Sequence, residues 1–295
     1  MTQRPTKNES KRTGDLMNDI ERAAKLVEDA DALVIAAGAG MGVDSGLPDF
    51  RGDSGFWNAY PALGKAKMSF IDIASPSTFH SNPQLAWGFY GHRLSLYRQT
   101  LPHLGFAILQ RWAGRMPLGA FVFTSNVDGQ FQKAGFATGN VHECHGSIHW
   151  LQCLEPCSPT VWPGDTLTPT IDAGSCQWLG TLPSCPQCSE ISRPNVFMFG
   201  DGGWLCSRYR RQEERLQTWL GDAKRPVVVE LGAGTHIPSV RYFSESVIQR
   251  PNSSLVRINP REPMVPSGRH VALPMGASAA LHAIDSALTA RARHS

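Results

Sequence analysis

The chain has 295 residues, of which 41% are hydrophobic and 18% are charged, a balance typical of a globular protein with a sizeable core. Its formal net charge of +3 is too small to indicate nucleic acid as the main partner. No apolar run approaches the roughly 20 residues that a membrane helix needs, and the polar beginning lacks the apolar core of a secretory signal. We therefore expect a cytoplasmic protein that binds neither nucleic acid nor membrane.

Short apolar segments alternate with helical patterns along the chain. Residues 1–14 are polar and basic, and we expect them to be disordered. Helices are predicted at 15–29, at 77–112 with an interruption near Pro102, at 213–220 and at 276–291. Buried strands are predicted at 31–37, 118–124, 195–199, 225–231 and 254–258. Strands that alternate with helices in this way indicate a parallel, doubly wound α/β sheet.

A glycine-rich turn, GAGMG, follows the first predicted strand directly and begins at Gly38. Glycine allows a sharp turn and a close approach of the backbone to a pyrophosphate. The spacing differs from the usual G-x-G-x-x-G, so a simple tight turn is the alternative at this point. The turn continues to Gly52 as GAGMGVDSGLPDFRG.

Polar side chains follow the second predicted strand, where the sequence reads TSNVDGQFQKAG and includes Asn126 and Asp128. The carboxyl ends of strands in an open α/β sheet are where ligands bind, although Asn, Asp and Gly also favour plain turns. The segment VHECHGS follows and contains His142 and His145. A histidine titrates near neutral pH and is a common general base, but a lone histidine is more often structural.

Two close cysteine pairs, Cys153-x3-Cys157 and Cys185-x2-Cys188, lie in a segment that we predict to be rich in loops. Two thiolate pairs can complete a tetrahedron around a zinc ion, and such a module needs no core of its own. Cys176 is a spare candidate ligand. Cys144 and Cys206 are interpreted as core or neutral residues.

These motifs resemble, in order, those of the sirtuin family of NAD-dependent protein deacylases. The resemblance spans roughly residues 20–290, with Gly42 in place of the usual Ser and Ser125 in place of the usual Gln. It implies a Rossmann-like doubly wound sheet with a smaller zinc-ribbon plus helical module. It also implies that His145 and Asn126 are catalytic and that Cys153, Cys157, Cys185 and Cys188 bind zinc. The NAD-binding residues that it implies are Gly38, Ala39, Gly40, Asp49, Phe50, Arg51, Asn126, Asp128, Gly232, Gly234 and Asn259.

The segment WGFYGHR is similar to the W-x-F-Y-x-x-R motif of the desuccinylase branch, which implies that Tyr90 and Arg93 hold an acidic acyl tail. Residues i and i+3 share a helix face, so both could grip one carboxylate; a solvated Arg beside a core Tyr is the alternative. The segment RPNVFMFGD resembles the family's peptide-pairing strand and implies that Phe199 and Gly200 bind substrate.

The resemblance therefore implies a lysine deacylase, acting on acetyl and, more finely, succinyl or malonyl groups of an acylated protein. Because Gly202-Gly203-Trp204 is unusual for the family, an NAD hydrolase or mono-ADP-ribosyltransferase is the alternative. The sequence does not decide the oligomeric state. The predicted domains are an NAD-binding domain (15–52, 106–148 and 195–295), a helical part (53–105) and a zinc module (149–194).

Overall fold

A computed structural model describes residues 7–49 and 52–293, and it describes side chains for residues 14–49 and 56–293. The chain forms two compact units. The first unit is Met1–Asp44, Pro102–Phe123 and Leu216–Ser295, and the second unit is Ser45–Leu101 and Thr124–Arg215. Within the described ranges, no helix combines the length and the apolar character that crossing a membrane requires.

The helices and strands are numbered in chain order. The helices are α1 Lys7–Glu28, α2 Gly40–Val43, α3 Gly52–Ala59, α4 Pro61–Lys65, α5 Phe70–Ile73, α6 Pro76–Ser81, α7 Pro83–Gln99, α8 Leu104–Ala113, α9 Gln130–Lys133, α10 Ser207–Asp222, α11 Ser239–Val247 and α12 Ala277–Ala292. The strands are β1 Ala32–Ala37, β2 Ala120–Thr124, β3 Val141–Glu143, β4 Gly146–Cys153, β5 Val161–Pro163, β6 Ile171–Asp172, β7 Gln177–Trp178, β8 Ser192–Val196, β9 Pro226–Leu231, β10 Ser254–Ile258 and β11 Val271–Leu273.

The strands of the first unit lie in the order β11-β10-β9-β1-β2. The pairs β1–β9, β9–β10 and β10–β11 are parallel, and Ala37 at the end of β1 is level with Leu231 at the end of β9. Every residue of β1 and β9 is buried, as expected for strands covered on both faces. The exception to their apolar character, Glu230, pairs with Arg257 of β10 at 2.7 Å (Nε to Oε1).

The chain passes from β1 to β2 on one side, whereas β9 lies on the other side of β1. The sheet therefore has its topological switch point between β1 and β9, the place where open α/β sheets bind ligands. Both strands end there in glycine-containing turns, which begin at Gly38 and Gly232.

The second unit contains a three-stranded antiparallel sheet, β5-β4-β8, and a small β6–β7 pair. Its core is aromatic and is built around α7, where Trp87 and Phe89 are almost fully buried. Gly88 lets α7 approach closely, because a Cβ at this position would overlap the carbonyl of Cys176. Cys176, considered as a spare zinc ligand, is therefore a buried core residue behind this helix.

The predicted strands at 31–37, 118–124, 225–231 and 254–258 and the predicted helices are confirmed, with shifts at their ends. The predicted disordered segment is wrong over residues 7–14, which belong to α1; residues 1–6 lie outside the described part of the chain. The segment predicted to be loops contains β4 to β7, of which β4 pairs with β5 and with the distant β8, whereas the short strands β6 and β7 pair with each other. The predicted strand at 195–199 is β8, which ends at Val196.

The two units group the chain differently from the predicted domains. Residues 124–148 and 195–215 lie in the second unit together with the zinc module and the helical part. The predicted domain boundaries stay a prediction.

Candidate active site

The candidate site residues are distributed over both units, and each set is described by itself. The first unit carries Gly38, Ala39, Gly40, Gly232, Gly234 and Asn259, and the second carries the remaining candidates. Asp49 is half-buried, whereas Phe50 and Arg51 lie outside the described residues.

The two glycine turns of the first unit pack directly against each other. A Cβ added to Gly38 would lie 2.8 Å from Ala233 Cα, and one added to Gly40 would lie 2.6 Å from Gly232 Cα. Gly40 N–H donates to Gly232 O at 3.1 Å, and Gly38 N–H donates to Leu231 O at 2.9 Å. Gly232 has a φ of +60°, a conformation that favours glycine. These glycines are thus required where the turns meet, independently of any phosphate.

Asn259 organises the turn after β9. Its side chain is completely buried; the amide nitrogen donates to Ala233 O at 2.9 Å, and the amide oxygen accepts from the backbone N–H of Arg261 and Glu262. Arg241 also donates to Ala233 O, at 3.0 Å. Asn259 therefore positions the turn that follows β9, whereas its predicted contact with a ribose stays a prediction.

His145 lies in the second unit between β3 and β4 and is half-buried. Burial lowers the pKa of its imidazole below the ordinary 6.5, and a hydrogen bond to the Ser125 carbonyl partly offsets that effect. Its backbone carbonyl accepts from Phe197 N–H at 2.9 Å. The Ser125 carbonyl engages one ring nitrogen as the donor, so the neutral ring has its other nitrogen as a proton acceptor.

Asn126 and Asp128 follow β2, and Asp128 is buried. Burial raises the pKa of Asp128 to about 6, although its Oδ1 accepts from Gln130 N–H at 2.9 Å. His149 Nε2 lies 2.9 Å from the Asp128 carbonyl oxygen. At neutral pH the fold thus keeps an ionised carboxylate in a site that disfavours the charge, which is characteristic of functional positions.

Tyr90 and Arg93 are brought together on α7 as predicted, but both are buried. The Arg93 guanidinium carbon lies 6.0 Å from the Tyr90 ring centre and 5.2 Å from that of Phe89. Arg93 Nε and Nη2 both donate to the Tyr97 hydroxyl, at 2.8 and 2.6 Å. The alternative of a solvated Arg is therefore wrong, and the sequence analysis missed Tyr97.

Phe199 is half-buried and Gly200 is exposed, at the start of a loop that a buried ion pair holds. Arg193 of β8 pairs with Asp201 through two hydrogen bonds of 2.7 and 2.8 Å, and both side chains are fully buried. Asp201 also accepts from Gly203 N–H at 3.1 Å. The unusual Gly202-Gly203 sequence thus directly follows Asp201, whose ion pair with Arg193 fixes the loop. No local sequence pattern predicted this ion pair.

The four predicted zinc ligands form one cluster in the second unit. The sulfur atoms of Cys153, Cys157, Cys185 and Cys188 all lie within 4.8 Å of one another. The Cys153–Cys188 and Cys157–Cys185 sulfur distances are 3.5 and 3.7 Å. Zn–S bonds of about 2.3 Å place tetrahedral sulfurs about 3.8 Å apart, so this donor set fits zinc.

Sequence alignments with curated relatives cover more than half of this chain. An NAD-dependent protein deacylase of Aquifex aeolicus is 32% identical over 169 residues, which is 57% of this chain and 62% of that protein. One of Thermococcus sibiricus is 26% identical over 250 residues, 82% of this chain and 86% of that protein. The zebrafish (Danio rerio) NAD-dependent protein deacylase sirtuin-5, mitochondrial, is 29% identical and aligns with 58% of each chain.

Solved structures show the same fold. A Sir2 homolog–NAD complex matches with a TM-score of 0.67 at 22% identity and covers 92% of this chain and 94% of its own. A Sir2 homologue–ADP-ribose complex matches with a TM-score of 0.68 at 23% identity, covering 92% and 98%. The model of the Sir2 family matches residues 38–217, more than half of the chain. The chain therefore belongs to the Sir2 family.

Proposed function

We propose that this chain is an NAD-dependent protein lysine deacylase, which transfers the acyl group of a modified lysine to ADP-ribose and releases nicotinamide. The observation that carries the proposal is His145, whose half-buried, neutral ring is oriented by the Ser125 carbonyl. The family and the relatives named NAD-dependent protein deacylases support this activity and this cofactor. The predicted cytoplasmic location stays a prediction.

Bound NAD supplies the ribose carbon that the acyl oxygen attacks and the nicotinamide that leaves. In this proposal, the Asp128 carboxylate accepts the N–H of the nicotinamide carboxamide, and Asn126 contacts the adjoining ribose. An ionised carboxylate suits an amide donor, and the pKa of about 6 leaves Asp128 ionised at neutral pH. His145 takes the proton of a ribose hydroxyl, which a neutral imidazole can do.

Zinc has a structural role in this proposal. Cys153 ends β4 and the other three cysteines lie between β4 and β8, so one ion would connect the two ends of a segment with little core of its own. The thiolates of Cys153, Cys157, Cys185 and Cys188 would hold the ion, which would supply a cross-link rather than a catalytic group.

The finer proposal is a preference for acyl groups that end in a carboxylate. Arg93 is a cation that is only 8% exposed and surrounded by aromatic rings. Burying a cation costs free energy unless an anion or hydrogen bonds compensate for it, and a guanidinium matches a carboxylate geometrically. Asp128 interacts electrostatically with this cation, and a succinyl or malonyl group would add a carboxylate that an acetyl group lacks.

The test measures nicotinamide release from NAD with no peptide, with an acetyl-lysine peptide and with its succinyl-lysine counterpart. We expect release to require a peptide and to fall at least about 100-fold in His145→Ala. His80→Ala is the matched control, because the exposed His80 ring pairs with Glu155. Equal release with and without peptide would instead identify an NAD hydrolase or an ADP-ribosyltransferase.

A further inference from the structure

The hydroxyl group of Tyr97 holds the guanidinium of Arg93 inside the aromatic core of the second unit. Arg93 and Tyr97 lie one helical turn apart on α7, so their side chains share a face. Two guanidinium N–H groups, Nε and Nη2, converge on the single oxygen of Tyr97 at 2.8 and 2.6 Å. The rings of Phe89 and Tyr97 lie 5.2 and 5.4 Å from the guanidinium carbon.

The hydroxyl orients this cation without neutralising it. Aromatic faces attract a guanidinium but leave its rotation poorly defined, whereas two hydrogen bonds to one oxygen define its plane. Burial raises the pKa of the Tyr97 phenol, although the Arg93 cation opposes this, so the phenol is neutral at physiological pH. Arg93 therefore keeps its positive charge, which also lowers the pKa of the Asp128 carboxyl.

Tyr97 itself is tied to the loop that carries Asp128. Gln130 Nε2 donates to the Tyr97 carbonyl oxygen at 3.2 Å, while Gln130 N–H donates to Asp128 Oδ1 at 2.9 Å. Lys133 further fixes the end of α7, because its ammonium donates to the Arg98 carbonyl oxygen at 2.6 Å. Tyr97 is thus held on both its backbone and its hydroxyl side.

We propose that Tyr97 is a positioning residue that sets the selectivity of this enzyme for acyl groups ending in a carboxylate, by holding Arg93 in the orientation that accepts them. The inference rests on the proposed deacylase function. Tyr97 touches neither the reacting atoms nor the acyl group in this proposal; it acts through Arg93.

The test compares kcat and KM of wild type, Tyr97→Phe and Tyr60→Phe on matched acetyl-lysine and succinyl-lysine peptides. Tyr97→Phe removes only the hydroxyl and keeps the ring and the backbone. We expect its KM for the succinyl peptide to rise about tenfold, the usual effect of losing a hydrogen bond to a charged group. Its KM for the acetyl peptide and both kcat values should stay within about twofold of wild type.

Tyr60→Phe is the matched control, because Tyr60 is a buried tyrosine of the same cluster that also interacts electrostatically with Arg93, but whose hydroxyl bonds His92 Nδ1 at 3.0 Å. It separates the effect of the hydrogen bond to Arg93 from that of a nearby phenol. It should keep the wild-type ratio of succinyl to acetyl activity. The inference is wrong if Tyr97→Phe slows both peptides equally, if Tyr60→Phe changes the ratio as much, or if wild type does not favour the succinyl peptide. Peptide-independent release by wild type would instead remove the deacylase function itself.

Discussion

Asp128→Asn should stabilise the protein while abolishing its proposed activity. Asp128 is 8% exposed, and its pKa is raised from 3.8 to about 6, mainly by burial. The folded state therefore binds the carboxyl proton more tightly than the unfolded state does, and folding stability falls as the pH rises through this range. The asparagine keeps the oxygen that accepts from Gln130 N–H but carries no charge.

The pKa difference corresponds to about 3 kcal/mol in the free energy of unfolding at pH 8, with about half of that at pH 5 and little below pH 4. Urea unfolding of wild type and Asp128→Asn at these pH values measures it. Asp72→Asn is a control that should change the free energy of unfolding in the opposite direction. Hydrogen bonds from Ser69 lower the pKa of Asp72, so its ionised form stabilises the fold. If Asp128→Asn were no more stable than wild type at pH 8, the ionised carboxylate would be stabilised by the fold, contrary to this reasoning.

Three further predictions concern the turns, the cysteines and the base. Gly40→Ala should lower the free energy of unfolding by about 1–3 kcal/mol and raise the KM for NAD, because its Cβ would lie 2.6 Å from Gly232 Cα. Gly221→Ala, with open space around it in the last turn of α10, should not lower the free energy of unfolding or change this KM. Cys188→Ser should lose bound zinc in metal analysis and lower the Tm by roughly 5–10 °C, and equal zinc in mutant and wild type would contradict the site. Since His145 and Asp128 must both be deprotonated, kcat/KM should fall as the pH drops through about 6, and an acid limb above pH 7 would contradict these roles.

The predicted Sir2 family and fold class are confirmed, and the four predicted zinc ligands form one cluster. Their signals are local in the chain, whereas the binding of NAD and zinc stays a proposal. Three of these signals depend only on residue type and short spacing, which can be read directly from the sequence. They are the glycine turn, Asn126 and Asp128 at a strand end, and the cysteine pairs. The core strands were also predictable, because β1 and, apart from Glu230, β9 are apolar runs buried on both faces. The roles of the individual NAD-binding and substrate-binding residues stay predictions.

Interactions between distant parts of the chain could not be predicted from the sequence alone. The packing of Gly40 on Gly232 and the close approach of Gly88 to the Cys176 carbonyl each need a partner and an orientation that only packing supplies. Strands β4 to β7 were missed because their segment lacks a clear two-residue alternation; β4 is stabilised by pairing with the distant β8, whereas β6 and β7 pair locally. The sequence by itself determined which chemical groups this protein carries, and only the tertiary structure decided which of them are buried, charged and held in place.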